Sequence, residues 1–236
     1  MVGVLAGCGK QNDTNKTEET DKLSIVTTIF PEYDWVREIL GDKADNAEIT
    51  MLLDNGVDLH SYQPTADDIV KISDCDLFIY VGGESDGWVD DALKNATNKD
   101  MKVINLLEVL GDSVKEEETV EGMQEEDHDH DHEDADEHDD AEEHEHEEEV
   151  EYDEHVWLSL KNAEVLVNAI SKSLQELDPD NKDVYAANSD AYVEKLSALD
   201  ADYQAAVDTA SNKTVLFGDR FPFRYLVDDY GLSYYA

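Results

Sequence analysis

Eight histidines are spread unevenly over 236 residues, and their neighbours decide what chemistry is open to them. Six of them, His128, His130, His132, His138, His144 and His146, lie between Glu116 and Glu154, together with 24 Asp and Glu and neither Lys nor Arg. Imidazole interleaved with carboxylate suits Zn²⁺ and its divalent neighbours at weak, multiple, exchanging sites. Such a run repels itself and has almost nothing apolar to bury, so a disordered acidic loop is expected over 112–152, capturing or buffering metal. A plain acidic spacer is the blander reading, but it does not account for six histidines within nineteen residues. The remaining two, His60 and His155, sit in Asp54-Asn-Gly-Val-Asp-Leu-His-Ser-Tyr-Gln-Pro-Thr65 and Asp153-Glu-His-Val-Trp-Leu158. Taken singly, each is as readily a surface or packed residue; together with the His-rich run they point to a metal site.

The elements that must position them alternate between β-branched runs and helical segments, the pattern of an α/β fold with a mainly parallel sheet. Strands are expected at 23–29, 48–53, 76–81 and 102–107. Helices are expected at 31–40, where Pro31 occupies a first-turn position, at 65–72 from a Thr65 cap with Asp68 three residues on, and at 87–96. The loop carrying His60 follows the second strand, and open α/β sheets bind ligands at the carboxyl ends of their strands. Beyond the acidic run, Ala163, Leu166, Val167, Ile170, Leu174 and Leu177 share one helix face, which Asp178-Pro179 ends. A second, longer helix spans Val184 to Val207 and is placed to bridge two lobes. A new unit follows, with a strand at 214–217, a helix at 221–229 and a strand beginning at Leu232. A β-α-β fragment of this size cannot cover its own sheet, so a C-terminal lobe truncated in this sequence is expected. The expected organisation is therefore 1–22 tether, 23–111 N-terminal lobe, 112–152 acidic loop, 153–211 helical segment and 212–236 start of the second lobe.

Seventeen Lys and Arg against 60 Asp and Glu leave a formal charge of −43, which excludes a nucleic-acid binder working through a basic face. No stretch approaches the ~20 apolar residues of a membrane span. Cys75, at the mouth of an apolar run, reads as a small buried thiol. Leu5-Ala-Gly-Cys8 resembles a bacterial lipobox, in which the cysteine is lipidated after cleavage, and the polar Gly9 to Lys22 would serve as tether. The charged and apolar regions that normally precede such a motif are missing, so the N-terminus reads as truncated or mis-started. A lipobox implies an extracytoplasmic protein held to the bacterial cell membrane by acyl chains.

Two motifs make a resemblance specific. Gly56-Val-Asp-Leu-His-Ser-Tyr-Gln-Pro-Thr65 is similar to G-x-D-P-H-x-Y-x-P-T, and Asp153-Glu-His-Val-Trp-Leu158 to D-P-H-x-W-L, patterns of the cluster A-I solute-binding lipoproteins of Zn²⁺ and Mn²⁺ importers. With the His-rich run and the lipobox, the resemblance covers nearly all of the chain. It implies two parallel-sheet α/β lobes joined by a long rigid helix, with His60 and His155 as metal ligands. It further implies a monomeric receptor that takes Zn²⁺, alternatively Mn²⁺, between its lobes and passes it to an ABC-type permease and its ATPase. The His-rich loop marks the zinc branch more than the manganese one. Where the family places a third ligand, His or Glu, this chain has Arg220, which cannot ligate a cation. Asp219 is the candidate oxygen donor in its place, although an Asp-Arg pair also reads as a structural ion pair. A fourth ligand would lie beyond Ala236.

Two alternatives stay open. A surface adhesin or metal buffer would act through the His-rich loop alone. A zinc-dependent hydrolase would use two His and a carboxylate, but the sequence contains no HExxH, and Gly82-Gly83 reads better as a turn than as a phosphate loop. Gly83-Glu-Ser-Asp-Gly87 has the G-x-S-x-G spacing, a serine-nucleophile pattern that supplies no base to a zinc site. An enzyme is therefore not expected. Neutral imidazole is the ligating form, so metal affinity should fall as pH drops below the ordinary imidazole range of ~6.5.

Overall fold

A computed structural model describes residues 22–54, 56–118, 151–218 and 220–236. Cys8, Asp219 and the six histidines of the acidic run lie outside these residues.

Four strands, β1 (Leu23–Thr27), β2 (Ala47–Met51), β3 (Leu77–Tyr80) and β4 (Lys102–Asn105), form a wholly parallel sheet in the order β2-β1-β3-β4. An all-parallel sheet is covered on both faces, and the alternation along the central strands shows it. Ile25, Leu77 and Ile79 join one apolar cluster with α1 (Phe30–Leu40) and α5 (Leu160–Leu177). Val26, Phe78 and Tyr80 join the other with Ile72 of α2 (Ala66–Asp74) and Val89 of α3 (Val89–Lys94). The chain moves from β1 to β2 on one side and returns to β3 on the other. The crevice between β1 and β3 at their carboxyl ends is thus a topological switch point, where such sheets take ligands.

Local signals account for the boundaries. Thr65 Oγ1 accepts the Asp68 N–H at 3.2 Å while the Asp68 carboxylate accepts the Thr65 N–H at 3.0 Å, a reciprocal cap that starts α2. The strand expected through Leu107 stops at Asn105, whose side chain accepts the Glu108 N–H at 3.1 Å and opens the short α4 (Leu106–Leu110). The helix expected over 87–96 shortens to α3. Cys75 is fully buried, which pushes its thiol up to about 12.

The ends of the expected acidic loop are structured, in correction of disorder over all of 112–152. Gly111–Ser113 makes a 3₁₀ turn, and Glu116 forms an antiparallel bridge with Tyr152. Past α5, α6 (Lys182–Thr209) runs 28 residues, or about 42 Å at 1.5 Å per residue. Near its start Asn188 donates to the Ile39 carbonyl of α1 at 2.9 Å. Near its far end Asp200 accepts from Tyr230, and Tyr203 stacks on the same ring. It thereby spans from the first sheet to a second unit of two parallel strands, β5 (Thr214–Leu216) and β6 (Ser233–Tyr235), with α7 (Arg224–Asp229) between them in sequence. Among the described residues no helix is long and apolar enough to cross a membrane.

Candidate metal centre

Each histidine stands on a short turn fixed by an aspartate two residues before it. After β2, Asp58 Oδ1 accepts the His60 N–H at 3.0 Å and caps the 3₁₀ turn Leu59–Ser61, whose buried Leu59 anchors it. Tyr62, buried just beyond, donates its hydroxyl to Asp68 at 3.1 Å. Bracketed by these anchors, His60 projects with its side chain 34% exposed. On the opposite wall, Asp153 Oδ1 accepts the His155 N–H at 2.8 Å and lies 3.1 Å from the Nδ1 of the same residue. Asp153 is itself held in place because Tyr225 of α7 donates its hydroxyl to the Asp153 carbonyl at 2.7 Å. That hydroxyl also accepts the Lys115 N–H at 3.1 Å.

The two rings, 95 positions apart in sequence, come together with centroids 5.4 Å apart and planes at 53°. Among the described residues, the hydrogen bonds of both rings run through Nδ1, to Ser85 Oγ at 3.0 Å for His60 and to Asp153 for His155. Ring orientation through one nitrogen is the arrangement in which the other serves a metal. The Arg220 guanidinium, where a third ligand was sought, reaches Asp58 Oδ2 at 3.2 Å and so ties the second unit to the His60 turn. Among the described residues no group of three His, Cys, Asp or Glu gathers around a common point.

Three carboxylates that the sequence reading missed lie buried around this crevice. Glu32, fully buried in α1, accepts the Thr28 and Ile29 N–H groups at 2.8 and 3.2 Å. Burial raises its carboxyl well above the usual range, against the pull of those two amides. Asp86 accepts the Gly82 N–H at 3.0 Å, and burial, reinforced by the charge of Glu154, raises it to about 6. Glu154, 4% exposed, accepts the Ser85 N–H at 2.8 Å. Glu32 had a signal, since a Glu three residues into a helix commonly turns back on the amides before it. The Ser85–Glu154 contact joins residues 69 apart and had none.

Residues 25–236 match the family model described as zinc-uptake complex component A, periplasmic. The chain belongs to this family. A zinc-binding protein, AdcA, from Streptococcus pyogenes is 33% identical over 217 residues, which cover 90% of this chain and 39% of that protein. The high-affinity zinc uptake system protein ZnuA of Bacillus subtilis is 33% identical over 98% of this chain and 66% of its own length. The crystal structure of Zn(II)-bound AdcA from Streptococcus pneumoniae superimposes with a TM-score of 0.67 at 30% identity, covering 90% of this chain and 38% of that one. The chain thus spans well under half the length of these streptococcal relatives. Family membership agrees with the parallel-sheet α/β architecture and its long helix. The His155 motif of this chain differs from the D-P-H-x-W-L pattern by carrying Glu154 before the histidine.

Proposed function

We propose that this zinc-uptake component A chain is an extracytoplasmic receptor that captures Zn²⁺, or alternatively Mn²⁺, between its lobes and delivers it to an ABC-type permease driven by an ATPase. The observation that carries the reading is the His60–His155 pair: two rings 5.4 Å apart, at the switch point of a parallel sheet, each anchored through Nδ1. Their Nε2 atoms are the donors, and zinc accepts imidazole nitrogen at ~2.0–2.1 Å in sites completed by carboxylate or water. Asp219 remains the proposed third ligand. His128, His130, His132, His138, His144 and His146 act as an auxiliary capture loop. Cys8 carries the lipid anchor, and the working unit is a monomer that binds rather than transforms its cargo.

The test is competitive calorimetry of Zn²⁺ and Mn²⁺ into the chain, beside His60→Ala and His155→Ala. One tight Zn²⁺ site lost in either variant is the expected result. Binding that survives both substitutions and is spread over several weak sites would overturn it in favour of a metal buffer.

A further inference from the structure

Glu154, the residue by which this chain departs from the D-P-H pattern, sits in surroundings shaped to hold it. Gly83, at φ +80°, leaves the space it fills: a Cβ there would stand 2.3 Å from Glu154 Oε1. That oxygen accepts the Ser85 N–H at 2.8 Å. The other, Oε2, is buried, has no hydrogen-bond partner among the described residues, and lies 3.9 Å from His60 Nδ1. A buried acceptor left unpaired costs about 1–3 kcal/mol, more when charged, so a nearby positive dipole matters here.

Neutral imidazole has two tautomers, and the 3.0 Å contact between His60 Nδ1 and Ser85 Oγ accommodates both. In one, Nδ1–H donates to Oγ and Nε2 keeps its lone pair; in the other, Oγ–H donates to a bare Nδ1 and Nε2 carries the proton. Only the first leaves Nε2 able to ligate a cation, since in the second the bare nitrogen is Nδ1, taken by the Ser85 hydroxyl. Ser85 does not choose between them, since a hydroxyl serves either way. A carboxylate oxygen on the Nδ1 side does choose, because it attracts the positive end of an N–H bond and repels a lone pair.

We propose that Glu154 is a positioning residue whose charge holds His60 as the Nδ1–H tautomer and so presents Nε2 to the cargo. Its consequence for zinc rests on the ligand role of His60 proposed above, whereas the tautomer belongs to the metal-free chain and is tested there. Long-range ¹H–¹⁵N correlation spectra of the metal-free chain at about pH 8, above the ordinary imidazole range of ~6.5, report which nitrogen bears the proton, with His60→Ala supplying the assignment. The expected result is His60 protonated at Nδ1, moving toward Nε2 in Glu154→Gln, which keeps an oxygen for Ser85 but not the charge. The same substitution should weaken Zn²⁺ binding about tenfold while leaving the His155 tautomer unchanged. Ser85→Ala, at a half-buried loop position, should keep the Nδ1–H form because the carboxylate remains. The proposal is overturned by a wild-type ring protonated at Nε2, by a Glu154→Gln spectrum identical to wild type, or by loss of the preference in Ser85→Ala. A tautomer that shifts without any change in Zn²⁺ affinity would support the role of Glu154 and overturn His60 as a ligand.

Discussion

His155 takes its ring partner from its own turn, whereas His60 takes one from a loop twenty-five residues away. Asp153 serves both the backbone N–H and the ring of His155, so a single carboxylate fixes main chain and imidazole together. On the other wall those tasks are divided: Asp58 fixes the His60 backbone, Ser85 meets its ring, and Glu154 positions Ser85. The His155 side chain is also the less exposed, at 22% against 34%. A locally closed unit depends on few residues, whereas a distributed one fails if any of several loops shifts. The comparison therefore predicts unequal sensitivity on the two sides of the crevice.

The largest expected effect is removal of either ring: His60→Ala and His155→Ala should each weaken Zn²⁺ binding by more than the ~10–100-fold of an outer partner, measured by calorimetry. Next comes Asp153→Asn, for which we expect a loss at the upper end of that ~10–100-fold range, because one substitution disturbs both main chain and ring. Ser85→Ala should cost clearly less, since Glu154 stays. Equal losses in Asp153→Asn and Ser85→Ala would break the distinction between a local and a distributed support.

Stability sharpens the same contrast. Tyr225→Phe removes the hydroxyl that joins Asp153 to Lys115 and leaves two backbone groups short of a partner. A loss of about 1–3 kcal/mol is expected in denaturant titration, centred on the His155 wall. On the His60 side, burial holds Asp86 at about 6, above the ordinary ~3.9, so folding favours its protonated form. Stability from this group is complete below about pH 4 and is lost as pH rises through about 6. Asp86→Asn, which keeps an oxygen for the Gly82 N–H, should therefore stabilise the chain at neutral pH by about 1–2 kcal/mol, and the gain should vanish near pH 4. Thermal melts of both proteins across that range decide it, and a difference independent of pH would break the assignment.

What could be read from the sequence follows the range of the interactions. The four strands, the cap formed by Thr65 and Asp68, and the buried Cys75 depend on neighbours a few residues apart, and each was expected near where it stands. The strand expected through Leu107 overran because Leu106 and Leu107 are apolar in helix and strand alike; the deciding group was Asn105, capping the Glu108 N–H. His60 and His155 stood out by type and motif, but their approach did not follow from spacing. It arises from a sheet order that places the loops after β2 and β3 beside the segment leading into α5. Asp86 and Glu154 were invisible, since acidic residues are common throughout this chain and only burial marks them out, whereas Glu32 carried the signal of its place in the first turn of α1.

Gly83 and Glu154 constrain the order in which this crevice can change over generations. Two separate obstacles keep a side chain away from position 83: a backbone at φ +80° that few residues adopt, and the Glu154 carboxylate in the space a Cβ would need. Replacing Glu154 removes the second and leaves the first, whereas replacing Gly83 first meets both at once. Descendants of this chain should therefore lose the glutamate before they lose the glycine, and lineages that keep the glutamate should keep the glycine with it.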